Sequence, residues 1–146
     1  MSRARRIAPE VARVLLGLVF FVFGLNGFLH FIPQPPHEGV AATFLGGLAA
    51  SGYFFPLLKG TEVLAGAALL ANRFVPLALV VLAPIIVNIF AFHAALDASG
   101  VGLAVVLVAL EIGLAYAHRK VFAPLLVAKR AKSEERTAAL EPAPAE

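Results

Sequence analysis

Cysteine is absent from this 146-residue chain, which excludes disulfides, cysteine-ligated iron–sulfur clusters, thiolate metal sites and thiol redox relays. Charge is scarce as well. Only 14 % of residues are charged, against a hydrophobic share of 60 % and a mean hydropathy of +0.88, a balance outside that of soluble domains. Lysine and arginine are missing from two stretches, 33–52 and 97–100. No nucleophile elbow, phosphate loop, zincin or deaminase signature occurs, and no dinucleotide fingerprint follows a strand, so a self-contained hydrolase or transferase is not indicated. There is no internal repeat and no small-x-small cleavage site after the first apolar run, which reads as a retained helix rather than a signal peptide.

What is present is four long apolar stretches, at about 11–32, 53–71, 74–96 and 101–122. Each approaches the roughly 20 residues that an α-helix needs to cross a ~30 Å hydrocarbon core. The expected fold is all-α, a membrane-embedded bundle of four transmembrane helices, with one short helix at 40–51 lying in the interface between the first two spans. The expected organisation is a basic N-terminal segment at 1–10, the helical domain at 11–122, and a largely disordered tail at 123–146 whose composition has too little apolar content to fold alone.

The net charge of +3 could point to nucleic acid, but the basic residues flank the spans. Arg3, Arg5, Arg6 and Arg13 lie at or before the start of the first, Arg73 lies between the second and third, and Arg119, Lys120, Lys129, Arg130, Lys132 and Arg136 lie at or beyond the end of the fourth. By the positive-inside rule these segments are cytoplasmic, giving an N-in, C-in protein of the cell membrane. The bilayer is the partner this implies, and nucleic acid is not.

Pro9 is expected to precede the first helix and Pro33 to end it. Gly17, Gly24 and Gly27 of the first span and Gly60, Ala65 and Gly66 of the second predict close packing of the two. Pro84 within the third span is expected to free a carbonyl and kink the helix about one turn before Asn88.

A few groups within the spans do not belong in oil: Asn26, His30, Lys59, Glu62, Asn88, His93 and Glu111. Counted at ~1.5 Å per residue from each span centre, all fall at the midplane or in the outer half. This placement predicts one ligand-binding cavity open to the outer face, lined by Asn26, His30, Lys59, Glu62, Asn88 and His93. Asn26 and His30 are four residues apart and Lys59 and Glu62 three, so each pair is expected to share a helix face. Asn88 and His93, five apart, share one only with help from the kink. Buried charges in a bilayer must be protonated, paired or hydrated. Lys59 is the partner for Glu62, which either forms a structural salt bridge or handles a proton or a ligand head; Glu111 is a proton carrier or a protonated hydrogen-bonding group. His30 and His93 are interfacial histidines in the simpler account and haem, copper or zinc ligands in the sharper one. No metal or cofactor is assigned. His118 sits beside Arg119 and Lys120 and reads as an interface residue.

Three patterns carry a resemblance: Gly17-Leu18-Val19-Phe20 with Gly24-Leu25-Asn26-Gly27-Phe28-Leu29-His30-Phe31, then Glu62-x-x-x-Gly66 with Asn72-Arg73, and Pro84 with Asn88 and Phe92-His93. Over about 13–122 the chain resembles the DoxX-like family of small four-helix membrane proteins. Members often carry a basic residue shortly after the first-span glycine, where this chain has Gly27. The resemblance implies membership of a quinone-linked redox system of the membrane. Joined to the polar set, it gives the expectation of a subunit or accessory in which Glu62 and Glu111 manage protons and a partner carries the redox centre, since this chain supplies no obvious one. A small-solute transporter or an assembly factor is the competing class, and self-association is left open.

Overall fold

The computed structural model describes residues 3–126, which form helices and turns with no strand among them. The elements are α1 (Arg3–Leu29), α2 (Gly39–Ala50), α3 (Phe54–Leu70), α4 (Val75–Ala95), a 3-10 turn at Ala98–Gly100, α5 (Val101–Ala117), α6 (Arg119–Phe122) and a second 3-10 turn at Ala123–Leu126. Three segments are long and apolar enough to cross a membrane: Ile7–Leu29, Val75–Ala95 and Ala98–Ala117. A fourth is reached only if α2 and α3, which meet at 90°, count as one broken span. The outward surface agrees with an apolar solvent, since Leu57, Leu64, Val87 and Ile112 are each at least 64 % exposed.

Several boundaries differ from expectation, each for a local reason. α1 begins at Arg3 rather than after Pro9, which lies inside it, so residues 3–10 continue the helix instead of forming a separate segment. It stops at Leu29, short of Pro33, because His30 adopts φ 52°, a left-handed conformation that ends a helix. α3 has 17 residues, ~26 Å at 1.5 Å each and the lower limit for a span. Its start is set by Gly52 at φ 73° and by Ser51, whose Oγ accepts from the Phe54 N–H at 3.3 Å. The fourth stretch is interrupted at His118, so α5 ends at Ala117 and only the four-residue α6 follows. α4 starts after Phe74, at φ 54°, with proline in its first turn, and continues through Pro84 as one helix. The short helix expected at 40–51 is α2. Of the expected disordered tail, residues 123–126 form a 3-10 turn and residues 127–146 lie outside the described residues.

α1 packs most extensively on α3, and α5 also packs on α1; α4 lies against α3 and α5. The expected glycine seam explains the first contact. A Cβ on Gly66 would sit 2.5 Å from the Phe21 nitrogen and 2.9 Å from the Gly17 oxygen, so the two backbones meet there. Gly24 faces Glu62 and Val63, Gly27 faces Lys59, and Gly17 faces Leu69. As one index rises the other falls, so the helices are antiparallel. Gly60 takes no part, since nothing lies within 4 Å of where its Cβ would be. The core is leucine-rich: Leu16 and Phe20 of α1, Leu69 of α3, Leu79 and Leu82 of α4, and Leu107 and Leu114 of α5 are all buried. The start of α1 and the end of α5 line one groove, so both lie at the same end of the molecule.

Candidate functional site

The polar residues fall into separate groups along the helices. On α3, Lys59 Nζ donates to Glu62 Oε2 at 2.8 Å. The one-turn spacing brings the pair together, and α1 makes room for it. Without a side chain at Gly27 the Lys59 stem lies flat against α1, and Gly24 receives the Glu62 Cβ. Glu62 is 3 % exposed, whereas 24 % of the Lys59 side chain is open, the pattern of a long cation whose stem is covered and whose tip reaches outward.

Asn26 is spent on the backbone. Its Oδ1 accepts from the Ile32 N–H at 2.6 Å and its Nδ2 donates to the Ile32 carbonyl at 3.1 Å, which ties down the chain just after α1. The helix has ended by His30, so the four-residue spacing does not place His30 beside Asn26's partners. His30 is exposed, as is Asn88 on α4, and among the described residues neither side chain makes a hydrogen bond to another residue of the set.

At the end where α4 turns into α5, a cluster forms from residues distant in sequence. His37 Nδ1 lies 2.9 Å from Asp97 Oδ2, and the Asp97 carbonyl is 2.9 Å from His93 Nδ1. Phe92 stands edge-on to both histidines, with centroids 5.7 Å from His37 and 5.2 Å from His93, and meets Phe44 of α2 at 6.0 Å. Gly100 is in contact with the His93 ring, where any larger residue would collide. Hydrogen bonding from Ser99, and next the adjacent His37, holds the Asp97 carboxyl below the usual carboxylate range. The cluster pins α2 and the preceding loop to the α4–α5 turn. Among the described residues no three histidine or acidic side chains are grouped to hold a metal ion.

Glu111 is different. It lies on the buried stripe of α5 with Ala104, Leu107 and Leu114, 8 % exposed, and its Oε2 is buried without a hydrogen-bond partner among the described residues. Arg13, expected as a flanking charge, is also buried at 9 % exposure. It donates to the Leu69 and Leu70 carbonyls and pairs with Glu10 at 2.6 Å. Leu69 and Leu70 are in the last turn of α3, where carbonyls run out of helical i+4 donors; the Leu69 carbonyl also accepts from the Asn72 N–H at 3.1 Å, and Arg13 adds a cation at that helix end from α1.

Of the expected set, then, Lys59 and Glu62 are hydrogen-bonded to each other, and among the described residues no side-chain hydrogen bond joins the others. The cavities at helix seams among the described residues include one of about 280 Å³ between α3 and α4 and one of about 630 Å³ between α1 and α5, and none of the expected residues lines these two. Sequence reasoning missed Arg13, His37 and Asp97. Arg13 carried a usable signal, since an arginine inside a predicted span needs a partner; the two loop residues carried none. Comparison of the chain with protein-family models, with curated proteins and with solved structures finds no match.

Proposed function

We propose that this is a multi-pass protein of the cell membrane, a four-helix bundle of N-in, C-in topology, acting as a DoxX-like accessory subunit of a quinone-linked oxidoreductase system. The observation that carries the functional part is Glu111, a carboxyl within an apolar helix stripe with one oxygen unpartnered. Such a group costs ~1–3 kcal/mol of stability, and a structural role does not repay that cost. A proton-handling role does. Reduction of a quinone to a quinol consumes two protons as well as two electrons; this chain has carboxyls within the bundle and no thiol carrier, so the electrons come from a partner. Lys59 and Glu62 would hold the polar head of the ligand. The orientation rests on the basic residues at the end where α1 starts and α5 stops, Arg119 and Lys120 among them.

A second reading is favoured by a different observation. Lys59 and Glu62 satisfy one another and are closed against Gly27 and Gly24, as a lock between helices would be in a transporter or an assembly factor. The two readings separate in one experiment. Protein purified gently from its own membrane is analysed by mass spectrometry for bound quinone, with Glu111→Gln and Glu62→Gln beside the wild type. The redox reading expects quinone in the wild type, at least tenfold less in the variants, and similar folded yields. Stable protein free of quinone in all three samples overturns it, and a yield that falls with Glu62→Gln alone assigns the pair to the lock.

A further inference from the structure

The groove between α1 and α5 is lined by none of the residues assigned to the proposed proton and ligand site. Its volume of about 630 Å³ falls within the ~300–1,000 Å³ range of small-molecule sites. The floor is made of small side chains, Ala8 and Ala12 from α1 and Ala109 and Gly113 from α5. From Ala109 to Ala117 it extends ~12 Å along α5, with Arg119 just beyond the helix end, and it lies at the ends of two segments long and apolar enough to cross a membrane. At its rim stand Tyr116 and Arg119. The guanidinium lies 4.5 Å from the Tyr116 ring centroid and donates to the Tyr116 carbonyl at 3.1 Å. That uses one of its five N–H groups, and among the described residues Arg119 has no carboxylate partner.

The charge beside the rim among the described residues is basic: Lys120 follows Arg119, and the nearby Glu10 is paired with Arg13. A trough without charge that ends at an unneutralised guanidinium matches an amphiphile with an apolar tail and an anionic head. Basic recesses between membrane helices take such lipids, and the tyrosine suits headgroup depth. We infer that the α1–α5 groove is a binding site for an anionic phospholipid, its acyl chain on the alanine and glycine floor and its phosphate at Arg119. A second copy of the chain fits less well, because a symmetric contact through this face would bring two basic ends together.

The test is native mass spectrometry of the full chain in mild detergent, titrated separately with phosphatidylglycerol and phosphatidylcholine. The wild type is expected to retain one phosphatidylglycerol in preference to phosphatidylcholine. Arg119→Gln should reduce that preference about fivefold, the usual effect of one basic residue at a membrane surface. Gly113→Leu should abolish retention of both lipids, and it is compatible with the fold, since nothing lies within 4 Å of the added Cβ. Circular dichroism confirms folding of each variant. Equal retention of the two lipids by wild type, or an Arg119→Gln profile unchanged from it, overturns the site. So does a lipid-independent dimer that Gly113→Leu dissociates.

Discussion

Glu62 and Glu111 are both carboxyls sunk among helices, one 3 % and the other 8 % exposed, and the protein treats them in opposite ways. Around Glu62 the seam is built for charge: Lys59 one turn away, and two glycines on the facing helix that leave room for both side chains. Around Glu111 the neighbours along its stripe are Leu107 and Leu114, and among the described residues no group answers its buried Oε2. Burial alone therefore does not define the role of an intramembrane acid. What its neighbours give up to accommodate it does.

The largest way to break this contrast is Glu62→Leu, which strands Lys59. Loss of one partner from a fully buried pair costs ~3–5 kcal/mol, an upper bound here because 24 % of the Lys59 side chain is open, to be read as a lower thermal midpoint in detergent. The double variant Lys59→Met/Glu62→Leu should recover most of it, and failure to recover would show that the pair contributes more than mutual neutralisation. Next in size is Gly66→Ala, which forces α1 from α3 at a backbone contact, with an expected loss of ~1–3 kcal/mol; Gly60→Ala, which meets open space, should be neutral or stabilising and serves as its control. Glu111→Leu should move the other way, gaining ~1–2 kcal/mol by removing an unanswered polar group while abolishing quinone retention. A loss of stability there would mean that Glu111 has a partner inside the bundle.

The smallest effect lies outside the helices, at Asp97. Its folded-state carboxyl is held below its ordinary range by Ser99 and His37, so the stability it contributes is present above the unfolded pKa and is lost as pH falls through the folded one. Melting curves between pH 7 and pH 3 should show a small acid-side decline that Asp97→Asn flattens. An unchanged slope in the variant would place the decline elsewhere.

The helical class was legible in the sequence because apolar runs are long-range averages that a few wrong boundaries do not disturb. The α1–α3 seam was legible because glycines recur along both helices where their backbones approach, Gly60 excepted, and the Lys59–Glu62 pair because one-turn spacing suffices to join two side chains. The wider polar set was less legible, because there local rules met irregular backbone. Asn26 and His30 share a face only if the helix continues to His30, and it ends one residue earlier. Asn88 is on a helix as expected, but faces outward. His37 and Asp97 meet because two loops converge, which no periodicity encodes. Arg13 was misread because a basic residue near a span end is ordinarily interfacial, whereas here it reaches the terminal carbonyls of another helix.

That arginine has a consequence for how the chain is made. In the four-span arrangement α3 is the reluctant passenger, with 17 residues and both a lysine and a glutamate to carry across. Charged residues near a helix centre each oppose release into lipid by ~3 kcal/mol. α1 leaves the ribosome first and already holds what α3 lacks, glycine notches for its two charges and a guanidinium for its carbonyl end. The first helix thus acts as an escort, and integration of α3 should depend on Gly24, Gly27 and Arg13, residues synthesised well before it.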